Sequence, residues 1–222
     1  MRGAVRRPVR GMVPAALLAA FVLVGCASES RYADVGEDTG ASGEKPAQKT
    51  EAAGKTAAKA GSVGAPGSAC PMPVSFDLAA SWKPKAAHVD KDSEIGAALG
   101  VQGGAVLICE IDAKPTGNIG YLRVWQGEKS DGTPRRALER FAADEDGAEK
   151  FTYTEIKAGD LTATEVDYTV YSELLDERKK ERAFAVSTPD GPVVVHLGGM
   201  DTEEHEAMLP AYELAKKSVR LG

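Results

Sequence analysis

The stretch from residue 27 to residue 68 most limits where this chain can fold, because it lacks the apolar side chains that a core requires. It consists mainly of Gly, Ala, Ser, Thr, Lys and Glu, and no aliphatic residues recur at helical or strand spacing. Such a composition buries too little apolar surface to offset the entropy lost on ordering the chain. We therefore predict a flexible linker over residues 26–68 and a single folded domain over residues 69–222.

Residues 1–25 have the layout of an export signal. This segment contains four arginines and no acidic residue, and an apolar core follows from Ala15 to Val24. About 20 apolar residues are needed to cross a bilayer as a helix, so this core is too short for a permanent transmembrane anchor. The pattern predicts a signal peptide over residues 1–25.

The apolar core ends in Leu23-Val24-Gly25-Cys26, which resembles the lipobox of bacterial lipoproteins. The resemblance implies cleavage before Cys26 and attachment of diacylglycerol to its sulfur, with acyl chains such as palmitate in the membrane. Two acyl chains hold a soluble domain on a membrane where one does not. The expected location is therefore the extracytoplasmic face of the cell membrane. The alternative is an ordinary secretory peptide with an incidental cysteine.

The predicted domain is acidic. Residues 69–222 contain 18 Lys and Arg against 27 Asp and Glu, which gives a formal charge of −9. Such a surface is repelled by the phosphates of nucleic acids and by anionic lipid headgroups. We therefore expect no nucleic-acid partner, and we expect membrane attachment to depend on the lipid at Cys26.

Alternation of apolar residues predicts strands at the start of the domain. Residues 73–79 (PVSFDLA) read as a half-buried strand, and residues 104–113 and 118–127 read as a hairpin around a Pro-Thr-Gly-Asn turn. In the first strand of the hairpin, the residues expected on one buried face are Ala105, Leu107, Cys109 and Ile111.

Two helices are predicted from their start signals and apolar spacing. The first begins with Thr133 as N-cap and Pro134 at the first helical position. The second begins at Asp201, with Glu204 completing a capping box, and Pro210 should kink or restart it. The apolar residues on the buried faces of the two helices are Ala137, Leu138, Phe141 and Ala142, then Met208, Tyr212, Ala215 and Val219.

Four further strands are predicted between these helices. They lie around residues 151–156, 165–171, 182–187 and 193–197, and the polar run 175–182 (LDERKKER) reads as an exposed hairpin tip. This order of strands, helix, four strands and helix indicates an α+β fold. We predict a central antiparallel sheet flanked by helices rather than a parallel doubly wound sheet.

The order and spacing of these elements also resemble a known fold. Phe76, Leu78 and Trp82 at the start, and Lys217-Ser218-Val219-Arg220 at the end, are similar to the PsbP/Mog1-like fold, in particular to actinobacterial lipoproteins of the LpqN type. The resemblance implies an α/β/α sandwich with helices on both sides of the sheet. It implies a binding or assembly accessory and no catalytic residues to carry over, so we expect no enzyme. Where that family has Pro-x-Gly-Trp, this chain has Ala80-Ser81-Trp82.

With Cys26 assigned to the lipid, Cys70 and Cys109 form an even pair. In an exported domain such a pair is most simply a disulfide, which would join the start of the domain to the sheet. The alternative, a redox-active pair, lacks the Cys-x-x-Cys spacing.

The remaining residues carry no motif for a reaction. The sequence contains neither Gly-x-Ser-x-Gly nor His-Glu-x-x-His, and no phosphate-binding loop. Its three histidines are His88, His196 and His205. Asp201 and His205 are spaced for a shared helix face but lack a third metal ligand, so we expect an exposed helical histidine at 205 and an outward-facing one at 196. We predict no catalytic residue, metal or cofactor, and the sequence assigns no ligand-binding residues.

Three functional hypotheses follow from these observations. The first is a non-catalytic binding or scaffold module in the cell envelope, with another envelope protein as its partner. The second is a carrier of a small hydrophobic or lipid ligand, which requires an apolar cavity. The third is an envelope hydrolase, which requires polar residues converging in a cleft.

Overall fold

The computed structural model of the chain describes residues 56–173 and 175–222. The predicted signal peptide, Cys26 and most of the predicted linker lie outside the described residues. Strands and helices are numbered separately along the chain. The strands are β1 (Lys59–Val63), β2 (Val74–Ala79), β3 (Lys83–Ala86), β4 (Val101–Gln102), β5 (Ala105–Asp112), β6 (Gly120–Gln126), β7 (Ala148–Ala158), β8 (Leu161–Ser172), β9 (Glu177–Thr188), β10 (Gly191–Gly199) and β11 (Arg220–Leu221). The helices are α1 (Glu94–Gly100), α2 (Pro134–Ala143) and α3 (Thr202–Ser218).

A large antiparallel sheet forms the centre of the domain. Its strand order is β3-β5-β6-β10-β9-β8-β7, with β4 also paired to β5. A smaller sheet has the order β1-β2-β11. Each hydrogen-bonded neighbour in these sheets runs antiparallel to the next. The prediction of an α+β fold with a central antiparallel sheet is confirmed.

Helices cover both faces of the large sheet. In β10, Val193, Val195 and Leu197 join a core with the small sheet and α3, whereas Val194 belongs to a second core with α2. This is the alternation expected of a strand buried on both sides. The predicted α/β/α sandwich is therefore confirmed.

Both predicted helix starts are observed. The Thr133 hydroxyl accepts a hydrogen bond from the Arg136 backbone N–H, and the Asp201 carboxylate accepts one from the Glu204 N–H at 2.8 Å. The Glu204 side chain does not complete a capping box, because its Oε2 accepts from the Ile119 backbone N–H at 3.0 Å instead. The start of α3 is thereby tied to the beginning of β6.

The predicted restart at Pro210 does not occur, since α3 runs as one helix from Thr202 to Ser218. Met208 and Ala211 are buried on either side of the proline, so packing against the sheet holds the helix through the missing hydrogen bond. The Pro210 carbonyl accepts a hydrogen bond from the Ala57 backbone N–H at 2.9 Å.

The prediction that β5 has one buried face is also wrong. Ala105 and Leu107 pack in the core beneath α2, whereas Cys109 and Ile111 pack in the core beneath α3. The pairing of β5 with β6 shifts register between Leu107 and Cys109. An extra residue at such a bulge sends the following side chains to the opposite face.

Ordered structure begins earlier than the predicted boundary at residue 69. Strand β1 lies inside the segment predicted as linker and pairs with β2. Its contribution is mainly backbone pairing, because Val63 is its one fully buried side chain and Lys59 forms an ion pair with Asp77 at 2.9 Å. A strand held in this way leaves almost no apolar pattern in the sequence.

The predicted disulfide between Cys70 and Cys109 is confirmed. The two Cα atoms are 5.9 Å apart, and both residues are completely buried. The bond joins the segment before β2 to the middle of β5. The turn before Trp82 also forms, with Ser81 in the left-handed conformation (φ 69°) that favours glycine. None of the helices in the described ranges is long and apolar enough to span a bilayer.

Candidate functional site

A cavity of about 390 Å³ lies between α3 and strands β7, β8 and β9. Strand alternation places Asp167 of β8 and Arg182 of β9 on the same sheet face as α3. Charged and titratable residues make up much of its wall, and they are Lys150, Asp167, Tyr168, Lys180, Glu181, Arg182, His205 and Glu206.

Two ion pairs form part of the wall. Arg182 Nε contacts Asp167 Oδ1, and Lys180 Nζ lies 2.6 Å from Glu206 Oε1. Partial burial raises the pKa of the Asp167 carboxyl, and the guanidinium of Arg182 opposes that shift. The second pair links β9 to α3, so it joins the two sides of the cavity with opposite charges.

Lys150 adds a third cation to the wall, at an irregular point of β7. Its φ of 59° is left-handed, and the pairing of β7 with β8 shifts register between Glu149 and Thr152. The nearest carboxylate oxygen, on Glu149, is 3.7 Å from Lys150 Nζ, and the side chain is 66% exposed. A left-handed non-glycine residue costs on the order of 1 kcal/mol or more, and such strain concentrates at functional sites.

His205 lies in the first turns of α3 with only 2% of its surface exposed, so the expectation of an exposed histidine is wrong. The close approach of Gly199 explains this position, because a Cβ built on Gly199 would lie 2.8 Å from the His205 backbone nitrogen. Burial lowers the pKa of His205 to about 4 and keeps the ring neutral at pH 7. Its Nδ1 atom has no hydrogen-bond partner within the described ranges.

A second polar cluster lies on the opposite face of the sheet, towards α2. His196 Nε2 is 3.0 Å from Glu181 Oε2 and 3.2 Å from the Tyr168 hydroxyl, which donates to Glu145 at 2.7 Å. Lys179 Nζ is 2.6 Å from Glu181 Oε1. His196 is 5% exposed, so the prediction of an outward-facing ring is wrong.

Glu181 is charged despite its burial. Burial raises the pKa of this carboxyl, but the hydrogen bond to His196 and the charges of His196 and Lys179 outweigh that effect and leave the pKa lowered. The hydrogen-bond partners of His196 within the described residues are Glu181 and Tyr168, and neither is the serine or cysteine nucleophile that a hydrolase pairs with its histidine. This arrangement suits structural stabilisation of the sheet.

Metal chemistry has no visible basis in the part of the chain that the structure describes. Within residues 56–173 and 175–222, no three His, Cys, Asp or Glu side chains are arranged to hold an ion. The Asp201 carboxylate caps α3 by accepting from the Glu204 N–H, and the Asp201 backbone carbonyl accepts from the His205 N–H.

The residues that line the cavity have no distinguishing pattern in the sequence. The run LDERKKER reads as a hairpin tip, yet β9 begins at Glu177, and its charged side chains form ion pairs. The sequence does not reveal Lys150 as a site residue, because a bulge in a polar edge strand does not alter the residue composition of that strand. The Cys70–Cys109 pair belongs to the core with α3 and does not line the cavity.

The buried His205 should make the domain sensitive to mild acid. The unfolded chain binds a proton at this residue below about pH 6.5, but the folded domain does so only near pH 4. Stability is therefore lost as the pH falls through this window, by about 2 kcal/mol between pH 7 and pH 5. Urea unfolding at several pH values measures the effect.

The variant His205→Met provides the comparison for that measurement. It removes the titrating group, while the other carboxylates and His196 are common to both proteins. We expect the unfolding free energy of His205→Met to decline about 2 kcal/mol less between pH 7 and pH 5. Equal declines in the two proteins would show that His205 is not held neutral by burial.

The chain was compared with known proteins by sequence and by structure. A search of curated proteins found no significant match. Among solved structures, the chain is similar to the solution structure of cyanobacterial PsbP (CyanoP) from Synechocystis sp. PCC 6803, with 13% identity and a TM-score of 0.46. That alignment covers 68% of this chain and 87% of the other. A family described as "Uncharacterised lipoprotein" matches residues 40–219, and the chain belongs to this lipoprotein family.

Proposed function

We propose that this protein is a membrane-anchored, extracytoplasmic lipoprotein that acts as a non-catalytic binding or scaffold module in the cell envelope. Membership of a lipoprotein family supports the anchor, and Leu23-Val24-Gly25-Cys26 supplies the residue for it. The disulfide between Cys70 and Cys109 suits an oxidising compartment outside the cytoplasm.

The proposed organisation has three parts. The signal peptide, residues 1–25, is removed on export, and Cys26 then carries the diacylglyceryl group. A linker within residues 26–68 separates the lipid from the domain, and its last residues join the domain through β1. This layout matches the resemblance to actinobacterial lipoproteins of the LpqN type, and it presents the acidic domain to another envelope protein on the outer side of the cell membrane.

The single observation that favours binding is the cavity beside α3. Its charged groups sit on strands and a helix and are fixed in place by ion pairs, as in Lys180 with Glu206 and Arg182 with Asp167. Side chains held in this way are preorganised to contact a polar ligand group. A carrier of hydrophobic molecules needs a largely apolar pocket, and the wall of this cavity instead mixes charged side chains with apolar surface.

Replacing Cys26 with alanine should release the protein from the membrane. The acidic domain is repelled by anionic lipids, so without acyl chains no attraction of comparable size remains. We expect the wild-type protein to fractionate with membranes and to incorporate labelled palmitate. Cys26→Ala should appear in the soluble fraction without label.

Ser28→Ala is the matched control, because it changes a nearby residue and leaves the Leu-Val-Gly-Cys segment intact. It should remain labelled and membrane-bound. A Cys26→Ala protein that stays on membranes, or a mature wild-type chain with an unmodified Cys26 thiol, would contradict the proposal. If the protein is lipidated as proposed, crosslinking it in intact cells would identify the envelope partner.

A further inference from the structure

We infer that the cavity between α3 and strands β7–β9 binds a neutral sugar residue through its hydroxyl groups. This inference rests on the proposed binding function and names the ligand class of the same site. The hydroxyls would accept hydrogen bonds from the lysine and arginine side chains of the wall and donate to its carboxylates. The C–H groups of the sugar ring would contact Leu209.

The wall of the cavity carries no excess charge that would select an ion. It contains three cations and three carboxylates, which are Lys150, Lys180, Arg182, Asp167, Glu181 and Glu206. The histidine of the wall, His205, is neutral at pH 7 because burial lowers its pKa to about 4. An ion that enters such a site gives up its hydration without meeting an unpaired opposite charge, and that transfer is costly. The charge balance therefore favours an uncharged ligand.

The paired side chains keep hydrogen-bonding capacity for a ligand. Lys180 Nζ lies 2.6 Å from Glu206 Oε1 across the cavity, and Arg182 contacts Asp167 within the sheet. Ammonium, guanidinium and carboxylate groups each offer more donors or acceptors than one such contact occupies. A hydroxyl group both donates and accepts. A ligand with several hydroxyls can therefore use both kinds of group and leave the ion pairs in place.

The register of the sheet spaces these groups regularly. Thr152, Asp167 and Arg182 are partners in one row across β7, β8 and β9, and Thr169 and Lys180 are partners in the next row. Neighbouring strands lie about 4.8 Å apart, and alternate residues of a strand lie about 7 Å apart. Hydroxyls on opposite sides of a six-membered sugar ring have comparable separations, so one sugar can contact both rows.

The volume of the cavity and its apolar surface also fit a sugar. A cavity of about 390 Å³ is at the small end of the range for sites that hold organic ligands. Leu209 of α3 lines it and offers an apolar contact for the C–H groups of the ring. A purely apolar molecule of the same size would cover the charged groups without supplying hydrogen bonds, which is unfavourable.

A set of sugars with one ring and different charges tests the inference. The methyl glycosides of glucose, galactose and mannose are neutral probes that differ in the configuration of their hydroxyls. The methyl glycosides of the matching uronic acids and 2-amino sugars add a negative or a positive charge. Isothermal titration uses the full-length chain in a detergent without a sugar headgroup. At about pH 6 the amino sugars are charged, whereas His205 is still neutral.

We expect saturable binding of at least one neutral glycoside, and about tenfold weaker binding of the uronic acid and the amino sugar of the same configuration. Failure of all three neutral glycosides to bind at about 10 mM would overturn the inference. A charged sugar that binds as tightly as its neutral counterpart would overturn it as well.

The free sugars distinguish two sources of the ligand. A methyl group blocks the oxygen at C1 as a glycosidic bond does in a glycan. A methyl glycoside that binds at least as tightly as its free sugar indicates the end of a glycan as the source. Tighter binding of the free sugar indicates a sugar taken from solution.

Two variants change the charge balance in opposite directions. Glu206→Gln removes the carboxylate partner of Lys180, so it should strengthen binding of the uronic acid relative to the neutral glycoside about tenfold. Lys180→Gln should do the same for the amino sugar. Glu155→Gln is the matched control, because Glu155 is exposed on β7 outside the wall of the cavity, and it should leave both ratios unchanged. Unchanged ratios in both cavity variants would overturn the inference.

These titrations are separate from the test of the proposed function. Membrane fractionation of Cys26→Ala reports on the anchor and does not involve the cavity. A protein that is anchored but binds no neutral sugar would keep the proposed location and lose the ligand class. A protein that binds a sugar but carries no lipid would keep the ligand class and lose the anchor.

Discussion

Removing the disulfide is expected to lower the free energy of unfolding by about 4 kcal/mol. Cys70 and Cys109 are separated by 39 residues, and a crosslink over a loop of that length restricts the unfolded chain strongly. Both residues are fully buried in the core with α3, so the double variant Cys70→Ala/Cys109→Ala also loses packing. A loss of this size is a large part of the stability of an ordinary domain.

Urea unfolding of the oxidised protein and of the double variant measures the loss. Cys26→Ala is the control for cysteine removal, because residue 26 lies in the predicted linker, and its unfolding free energy should equal that of wild type. Thiol titration of the denatured, unreduced protein should find Cys70 and Cys109 unreactive. A double variant as stable as wild type would show that the bond contributes nothing to the folded domain.

The sequence predicts the parts of the fold that have a local signal. Strand alternation identifies the hairpin of β5 and β6 and the four strands β7–β10, and Thr133 and Asp201 identify the starts of α2 and α3. The pairing of Cys70 with Cys109 is predicted because an exported domain favours disulfides and an even number of cysteines remains once Cys26 carries the lipid. Each of these inferences depends on neighbouring residues or on composition, which a single sequence contains.

The missed features depend on tertiary packing. The bulge at Ile108 of β5 moves Cys109 to the other face, although the buried residues of this strand alternate without interruption. Pro210 is accommodated because residues on both sides of it are buried. β1 is paired through its backbone, and a low-complexity sequence does not reveal a backbone partner.

The candidate site is missed for the same reason. Its charged residues come from β7, β8, β9 and α3, and each appears in the sequence as an ordinary surface charge. Only the fold brings Lys180 to Glu206 and buries His205 behind Gly199. The one sequence signal is that β9 carries several charges close together, and that signal fits an exposed hairpin equally well.

The contact between α3 and the sheet beside this cavity depends on a buried charge cluster. Glu165 Oε1 of β8 accepts hydrogen bonds from the Tyr212 hydroxyl at 2.7 Å and from Lys216 Nζ at 2.8 Å. Lys216 also contacts Glu213 at 2.6 Å. Burial and the neighbouring carboxylate raise the pKa of Tyr212 well above its usual value, so its hydroxyl remains a donor at any ordinary pH.

We expect Glu165→Ala to lower the free energy of unfolding by about 3 kcal/mol, because it leaves the Tyr212 hydroxyl without an acceptor and Lys216 with a single carboxylate. Glu165→Gln retains an acceptor and should cost less, about 1–2 kcal/mol. Glu155→Ala, on the exposed part of β7, should have little effect and serves as the control. Urea unfolding of the three variants measures these differences.

The double variant Glu165→Met/Lys216→Met decides whether the cluster acts through charge or through packing. The double variant removes the Glu165–Lys216 ion pair from both sides, and methionine fills a similar volume. The Tyr212 hydroxyl still lacks an acceptor and Glu213 keeps only Arg182, at 3.9 Å, so the stability should return only to within about 2 kcal/mol of wild type. A double variant as unstable as Glu165→Ala would show that the charges themselves hold α3 to the sheet. Because α3 carries Glu206 and His205, a variant that loosens this helix should also weaken binding in the cavity beside it.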